Sequence, residues 1–171
     1  MSISPRLQSW FEMRGIACSN DPEFVKLVPW LRTTVVLCGT LMGLGTGLAF
    51  TPILWVMVPI AALGGILPVH PFDLIYNFGI RHLTGTRPLP RNGAPTRFAC
   101  GIAAVWLVAT ALAFETGNAW LGYVLGGALT SVAAVVSVTH FCIPSLTYQL
   151  LFGDRAVARA ALFSSQRPQS E

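Results

Sequence analysis

Between Arg32 and Asp73 the chain runs for 40 residues without a charged side chain, TTVVLCGTLMGLGTGLAFTPILWVMVPIAALGGILPVHPF. As a single helix, at a rise of about 1.5 Å per residue, this block would far exceed the ~30 Å hydrocarbon core of a bilayer. It therefore has to fold back on itself. Thr51-Pro52 marks the turn, because proline is accepted at the first helical position and disfavours helix in the residue before it. The block divides into a first span over 33–50 and a second over 53–69.

A second apolar block, Phe98 to Gly153, is interrupted by one acid only, Glu115, in the polar cluster Glu115-Thr116-Gly117-Asn118. That cluster has the chemistry of a turn between helices, which places spans three and four over 98–114 and 119–141. Overall 53% of the residues are hydrophobic and 11% charged, against roughly 25% charged in a soluble domain. The ratio is that of a chain dissolved in lipid, and one domain over 1–171 accounts for it.

The charges that remain are one-sided. Arg6, Arg14, Lys26 and Arg32 precede span one; Arg81, Arg87, Arg91 and Arg97 lie between spans two and three; Arg155, Arg159 and Arg167 follow span four. The two opposite turns carry none, so the positive-inside bias puts both termini and the middle loop, 70–97, in the cytoplasm. The net charge of +4 is topological in origin: no dense basic run with interleaved aromatics is present to bind nucleic acid. The first 30 residues contain acids and prolines and no continuous apolar core before a small-residue cleavage site, so no cleaved leader is expected there.

The expected fold is thus an all-α membrane protein of four transmembrane helices in two hairpins, with short interfacial amphipathic helices on the cytoplasmic side. Asp21-Pro22-Glu23 starts one such helix, which Pro29 should end, with Trp30 as an interfacial anchor. Another opens the middle loop at Pro71–Phe78, a third runs over Tyr148–Phe163, and Ser164–Glu171 reads as a disordered tail. Leu48-Ala49-Phe50 and Leu112-Ala113-Phe114 end spans one and three alike, and histidines sit at the exits of spans two and four. The hairpins therefore read as a parallel duplication about an axis along the membrane normal. Small residues favour close helix approach in lipid. Gly39, Gly43 and Gly47 on span one, with Gly122 and Gly126 on span four, are the packing candidates, chiefly within the chain and secondarily for a homo-oligomer.

Residues able to do chemistry gather on the cytoplasmic side: Cys18, Cys38, Cys100 and Cys142, with His70, His82 and His140. His70 and His140, at equivalent hairpin exits, together with Cys142 and Cys18, form a candidate ligand or thiol site. Imidazole and thiolate suit zinc, copper or iron, and paired histidines suit haem. His140-Phe141-Cys142 lacks the Cys-x-x-Cys spacing of a specific motif, and the plainer reading is capped interfacial histidines and inert thiols in a reducing compartment. A second candidate, Asp73 with Arg81 and His82, groups an acid, a cation and an imidazole in one loop. No acid, lysine or arginine stands within any span, which argues against an ion path through the bundle.

The stretches His70-Pro71-Phe72-Asp73, Arg81-His82-Leu83-Thr84-Gly85-Thr86, Pro88-Leu89-Pro90, Asn92-Gly93-Ala94-Pro95-Thr96-Arg97-Phe98-Ala99-Cys100 and Thr139-His140-Phe141-Cys142-Ile143-Pro144-Ser145 resemble the bacterial membrane family DUF4395, a domain of unknown function, over about residues 16–153. The resemblance implies a small multi-span protein of a bacterial inner membrane and no particular reaction. The leading expectation is a non-enzymatic membrane component whose cytoplasmic face docks a protein partner or a ligand. A thiol, metal or haem redox protein and a small transporter subunit are the alternatives.

Overall fold

The computed structural model describes residues 22–85, 87–139, 147–148 and 151–152. Among them there is helix and connecting loop and no strand. Four long helices, α1 (Pro22–Gly47), α2 (Thr51–Ile66), α5 (Ala94–Glu115) and α6 (Ala119–Thr139), form the body. Between α2 and α5 lie α3 (Pro71–Ile75), a π-helical turn (Tyr76–Ile80) and α4 (Arg81–Thr84). Three helical stretches are long and apolar enough to cross a membrane: Leu27–Gly47, Ala94–Glu115 and Ala119–Val138. A fourth candidate exists if α2 and the Pro71–Leu83 segment, set at 84° to each other, count as one broken span.

Each local turn follows from its residues. Pro52 sits in the first turn of α2, and the α1–α2 reversal closes through Phe50 N–H to the Gly45 carbonyl at 2.8 Å. At the other reversal Gly117 takes φ +78°, a left-handed conformation natural to glycine. Asn118 caps α6 there by accepting from the Leu121 N–H. The bend after α2 comes from two prolines. Leu67, before Pro68, is extended, and so is His70, before Pro71; the proline ring excludes helix from the residue preceding it. His70 becomes the N-cap of α3, its Nδ1 accepting from the Phe72 N–H at 3.3 Å.

The helices pack as a ring: α2 lies against α5 over the longest contact, α1 against α6, and the two hairpin pairs, α1 with α2 and α5 with α6, close it. The main core is Leu54, Met57 and Ala61 of α2 with Ala104, Leu107 and Ala111 of α5 and Met42 of α1, helical spacings that put one face of each helix inward. Close approach occurs at glycines. A Cβ on Gly65 would stand 3.2 Å from the Arg97 carbonyl and from the Gly101 amide, and one on Gly39 or Gly43 would press on Ala133 or Thr130 of α6. Gly122 abuts the Phe114 ring and Gly126 the Thr46 side chain, whereas Gly47 faces open space. Val56, Val105, Trp120 and Val138 are exposed around the outside, as a lipid-facing surface requires.

One expectation is corrected. No surface helix separate from span one ends at Pro29; α1 runs through that residue unbroken from Pro22 to Gly47. An interior proline removes one intrahelical hydrogen bond and crowds the carbonyl four residues before it, a cost of about 3 kcal/mol. Here Leu27 and Leu31, on either side of it, are held in a small second core with Tyr76 and Leu89. The start of α1 is therefore a wall against the middle loop rather than a helix lying free at an interface. Trp30 joins that wall, its ring 5.0 Å from that of Tyr76.

Candidate functional site

The end of the bundle that carries the middle loop forms a half-open cavity of about 240 Å³ between α1, α2, α5 and α6. An empty site of ~150 Å³ is enough to hold benzene. Its walls are apolar, with Val35 and Met42 on α1, Ala103 and Trp106 on α5, and Leu129 and Val132 on α6 among them. Polar groups line it toward the loop: Thr34, His70, Asp73, Asn92 and Thr96.

That polar end is built by the proline bend. Turning the chain at Pro68 and Pro71 aims His70 and Asp73 back into the bundle, where they are only 6% and 4% exposed. The stretch following α4 then crosses over them. Leu89 N–H donates to Asn77 Oδ1 at 2.9 Å, and Asn92 N–H donates to the Pro68 carbonyl at 2.7 Å. The Asn92 side chain is thereby set beside Asp73, its Nδ2 donating to Oδ2 at 3.4 Å, while Thr34 Oγ1 donates to Oδ1 at 2.6 Å. No cation among the described residues pairs with this carboxylate. A buried carboxylate is costly unless donors surround it, and two donors leave part of its acceptor capacity open.

Gly64 is where the helices admit the imidazole. A Cβ at that position would stand 2.5 Å from His70 Cδ2 and 3.4 Å from Cys100 Sγ, so only glycine leaves room for the ring. Cys38 faces the same cavity from α1, and neither it nor Cys100 is in a disulfide. Arginines fix the surrounding frame. Arg97 donates from Nε to the Gly65 carbonyl at 3.1 Å and from Nη2 to the Ile66 carbonyl at 2.6 Å. It caps the C-terminus of α2, where both the orphan carbonyls and the helix dipole favour a cation. Arg32 does likewise near the end of α6, on the Ser137 carbonyl at 2.6 Å.

Of the residues the sequence singled out, His70 and Asp73 come together in this cavity. His82 is exposed on α4, and Asp73's side-chain partners are Thr34 and Asn92 rather than Arg81 or His82. Cys18, His140 and Cys142 lie outside the described residues. Among those described, no group of three or more His, Cys, Asp or Glu is placed to hold a metal. Sequence reasoning missed Thr34 and Asn92 as site residues and left Cys38 and Cys100 out of the cluster. The available signals were a hydroxyl among the apolar residues that open span one, and an asparagine just before the proline-capped start of α5.

The class is that of a helical protein with three, or with the bent pair four, helices fit to cross a membrane. The chain belongs to the family described as "Domain of unknown function (DUF4395)", whose model matches residues 21–152. No curated protein and no solved structure matches it.

Proposed function

We propose that the chain is a four-span protein of a bacterial inner membrane, with both termini and the middle loop in the cytoplasm, and that it holds a small ligand in the cavity of its cytoplasmic half. The observation that carries this reading is the cavity itself: about 240 Å³, apolar along its walls and polar at one end, around a carboxylate with acceptor capacity left open. Apolar walls with a few convergent polar groups are the usual design of a small-molecule site. The role we read here is binding: His70 Nδ1 is engaged as the cap of α3, and the polar groups converge on one end of an otherwise apolar cavity.

The topology has its own support. The arginines that anchor helix ends, Arg32 and Arg97, both work at the loop end of the bundle, where the positive-inside bias places the cytoplasm. The pairing of α2 with α5 and of α1 with α6 is what a parallel duplication would produce, because a two-fold axis along the membrane normal exchanges those two contacts. The Pro71–Thr84 segment turns away from α2 and leaves Leu74, Ile75, Phe78 and Leu83 exposed, an apolar face suited to the cytoplasmic lipid interface.

The test is to purify the wild type and Ala103→Phe in mild detergent, denature both, and compare the small molecules released by mass spectrometry. Ala103 lines the cavity, so phenylalanine would fill part of it. A compound released stoichiometrically from the wild type and missing from a folded Ala103→Phe is the expected result. Equal release from both proteins, or none from either, would contradict the reading.

A further inference from the structure

If the cavity holds a ligand, as proposed, its shape and polarity also indicate the chemical class of that ligand and its route in. The cavity extends along α5. Its α5 wall runs from Thr96 to Leu107, roughly 16 Å at a helical rise of about 1.5 Å per residue. One end holds Asp73, 4% exposed, with a short hydrogen bond from Thr34, a long one from Asn92 and no cation among the described residues. The other end holds Trp106, whose Nε1 is committed to the Leu125 carbonyl at 3.0 Å, so its ring is fixed as part of the wall. A slender apolar body along α5 and a donor-bearing positive head at Asp73 would match both ends.

The wall toward lipid is thin. Ile102 and Trp106 line the cavity on one side and, on the other, a groove over the outer faces of α5 and α6 formed with Phe98, Gly101, Val105 and Leu125. Both residues are more than a third exposed. The groove and the cavity therefore share Ile102 and Trp106 as a common wall one side chain thick, and movement of the Ile102 side chain beside the fixed Trp106 ring would join the two.

Building on that ligand-binding role, we infer that the cavity takes a membrane-dissolved amine, an amphiphile with an ammonium head and a slim apolar body, which reaches Asp73 laterally between α5 and α6. The ammonium supplies N–H donors to the unfilled acceptor positions of the carboxylate, and such charge-assisted hydrogen bonds are about twice as strong as neutral ones. The apolar body lies along Ala99, Ala103 and Trp106, out of water.

Three probes of matched length separate the parts of this inference: 4-phenylbutylamine, 4-phenylbutan-1-ol and 4-phenylbutyrate. Each is titrated against the full chain in zwitterionic-lipid nanodiscs, with the thermal unfolding midpoint as readout. The expected result is a saturable rise with the amine, half-saturation at about tenfold or more higher concentration for the alcohol, and no saturable rise with the acid. In Asp73→Asn, which keeps an oxygen for Thr34, the amine should lose its advantage over the alcohol. Trp106→Leu should weaken amine and alcohol alike. Equal binding of amine and alcohol to the wild type would overturn the inference while leaving a ligand site in place, and that comparison decides even if Asp73→Asn does not fold. Binding of none of the three would also overturn it. The ligand-binding role itself would then stand or fall on the compound released from wild type and Ala103→Phe.

Discussion

Gly64 shows most clearly how a single residue sets this site. It admits the His70 ring between α2 and α5, beside Cys100, and no other residue type would leave that space. Gly64→Ala should destabilise the protein by about 1–3 kcal/mol, the usual cost of overpacking, and should speed maleimide labelling of Cys100 as the ring is pushed aside. Gly101→Ala, with open space around its Cβ position, is the control and should change neither; equal effects from both substitutions would contradict this role of Gly64. His70 was legible from sequence as a polar residue at a span exit, and Asp73 as an acid beside it. Their partners were not. Thr34 lies 39 residues from Asp73 along the chain and Asn92 lies 19 away, and which of many polar residues meets a given carboxylate depends on how helices are rotated and docked, which local patterns do not encode.

Among the elements, the helix ends were the most readable and the continuity of α1 the least. The reversal at Thr51-Pro52 and the turn at Thr116–Asn118 follow from proline and glycine chemistry that acts within a few residues. Pro29 suggested a break by the same local logic, yet α1 continues because Leu27 and Leu31 are buried against Tyr76 and Leu89, and tertiary burial outweighs the cost of the interior proline. Arg97 joins the start of α5 to the end of α2. Removing its two hydrogen bonds in Arg97→Ala should lower stability by about 1–3 kcal/mol in denaturant titrations, with Arg97→Lys recovering part of the loss because it restores charge but not the fork. An unchanged midpoint for Arg97→Ala would show the cap to be dispensable. The exposed apolar side of the Pro71–Thr84 segment makes a separate prediction. Phe78→Trp in a chain lacking other tryptophans should be quenched by lipids brominated near the headgroup and little by those brominated at the acyl terminus. The opposite order would place the segment too deep, and no quenching would place it in water.

At the scale of the whole molecule, composition made a bundle of helices apolar enough to cross a membrane legible before any contact was known. The ring order of the helices and the cavity inside it were not legible, since both arise from how small residues on different helices meet: Gly65 with Gly101, Gly39 with Ala133, Gly43 with Thr130. α2 is the span least legible from sequence, because its 16 helical residues cover only about 24 Å against a core of ~30 Å. In the proposed topology α2 crosses together with the short link to the bent segment, which also builds the polar end of the cavity. The proposed topology therefore depends on α2 reaching the cytoplasmic surface, so that Asp73 and the loop lie inside the cell.

Single-cysteine reporters in an otherwise cysteine-free chain test this directly: Asn118→Cys at one outer turn, Phe50→Cys at the other, and Arg87→Cys on the middle loop, probed in intact cells with a membrane-impermeant maleimide. Four crossings predict labelling at positions 118 and 50 from outside, and labelling at 87 only after the membrane is opened. Labelling of Arg87→Cys in intact cells would put the loop and its cavity on the outer side, or reduce the crossings to three, and either would contradict the proposed topology.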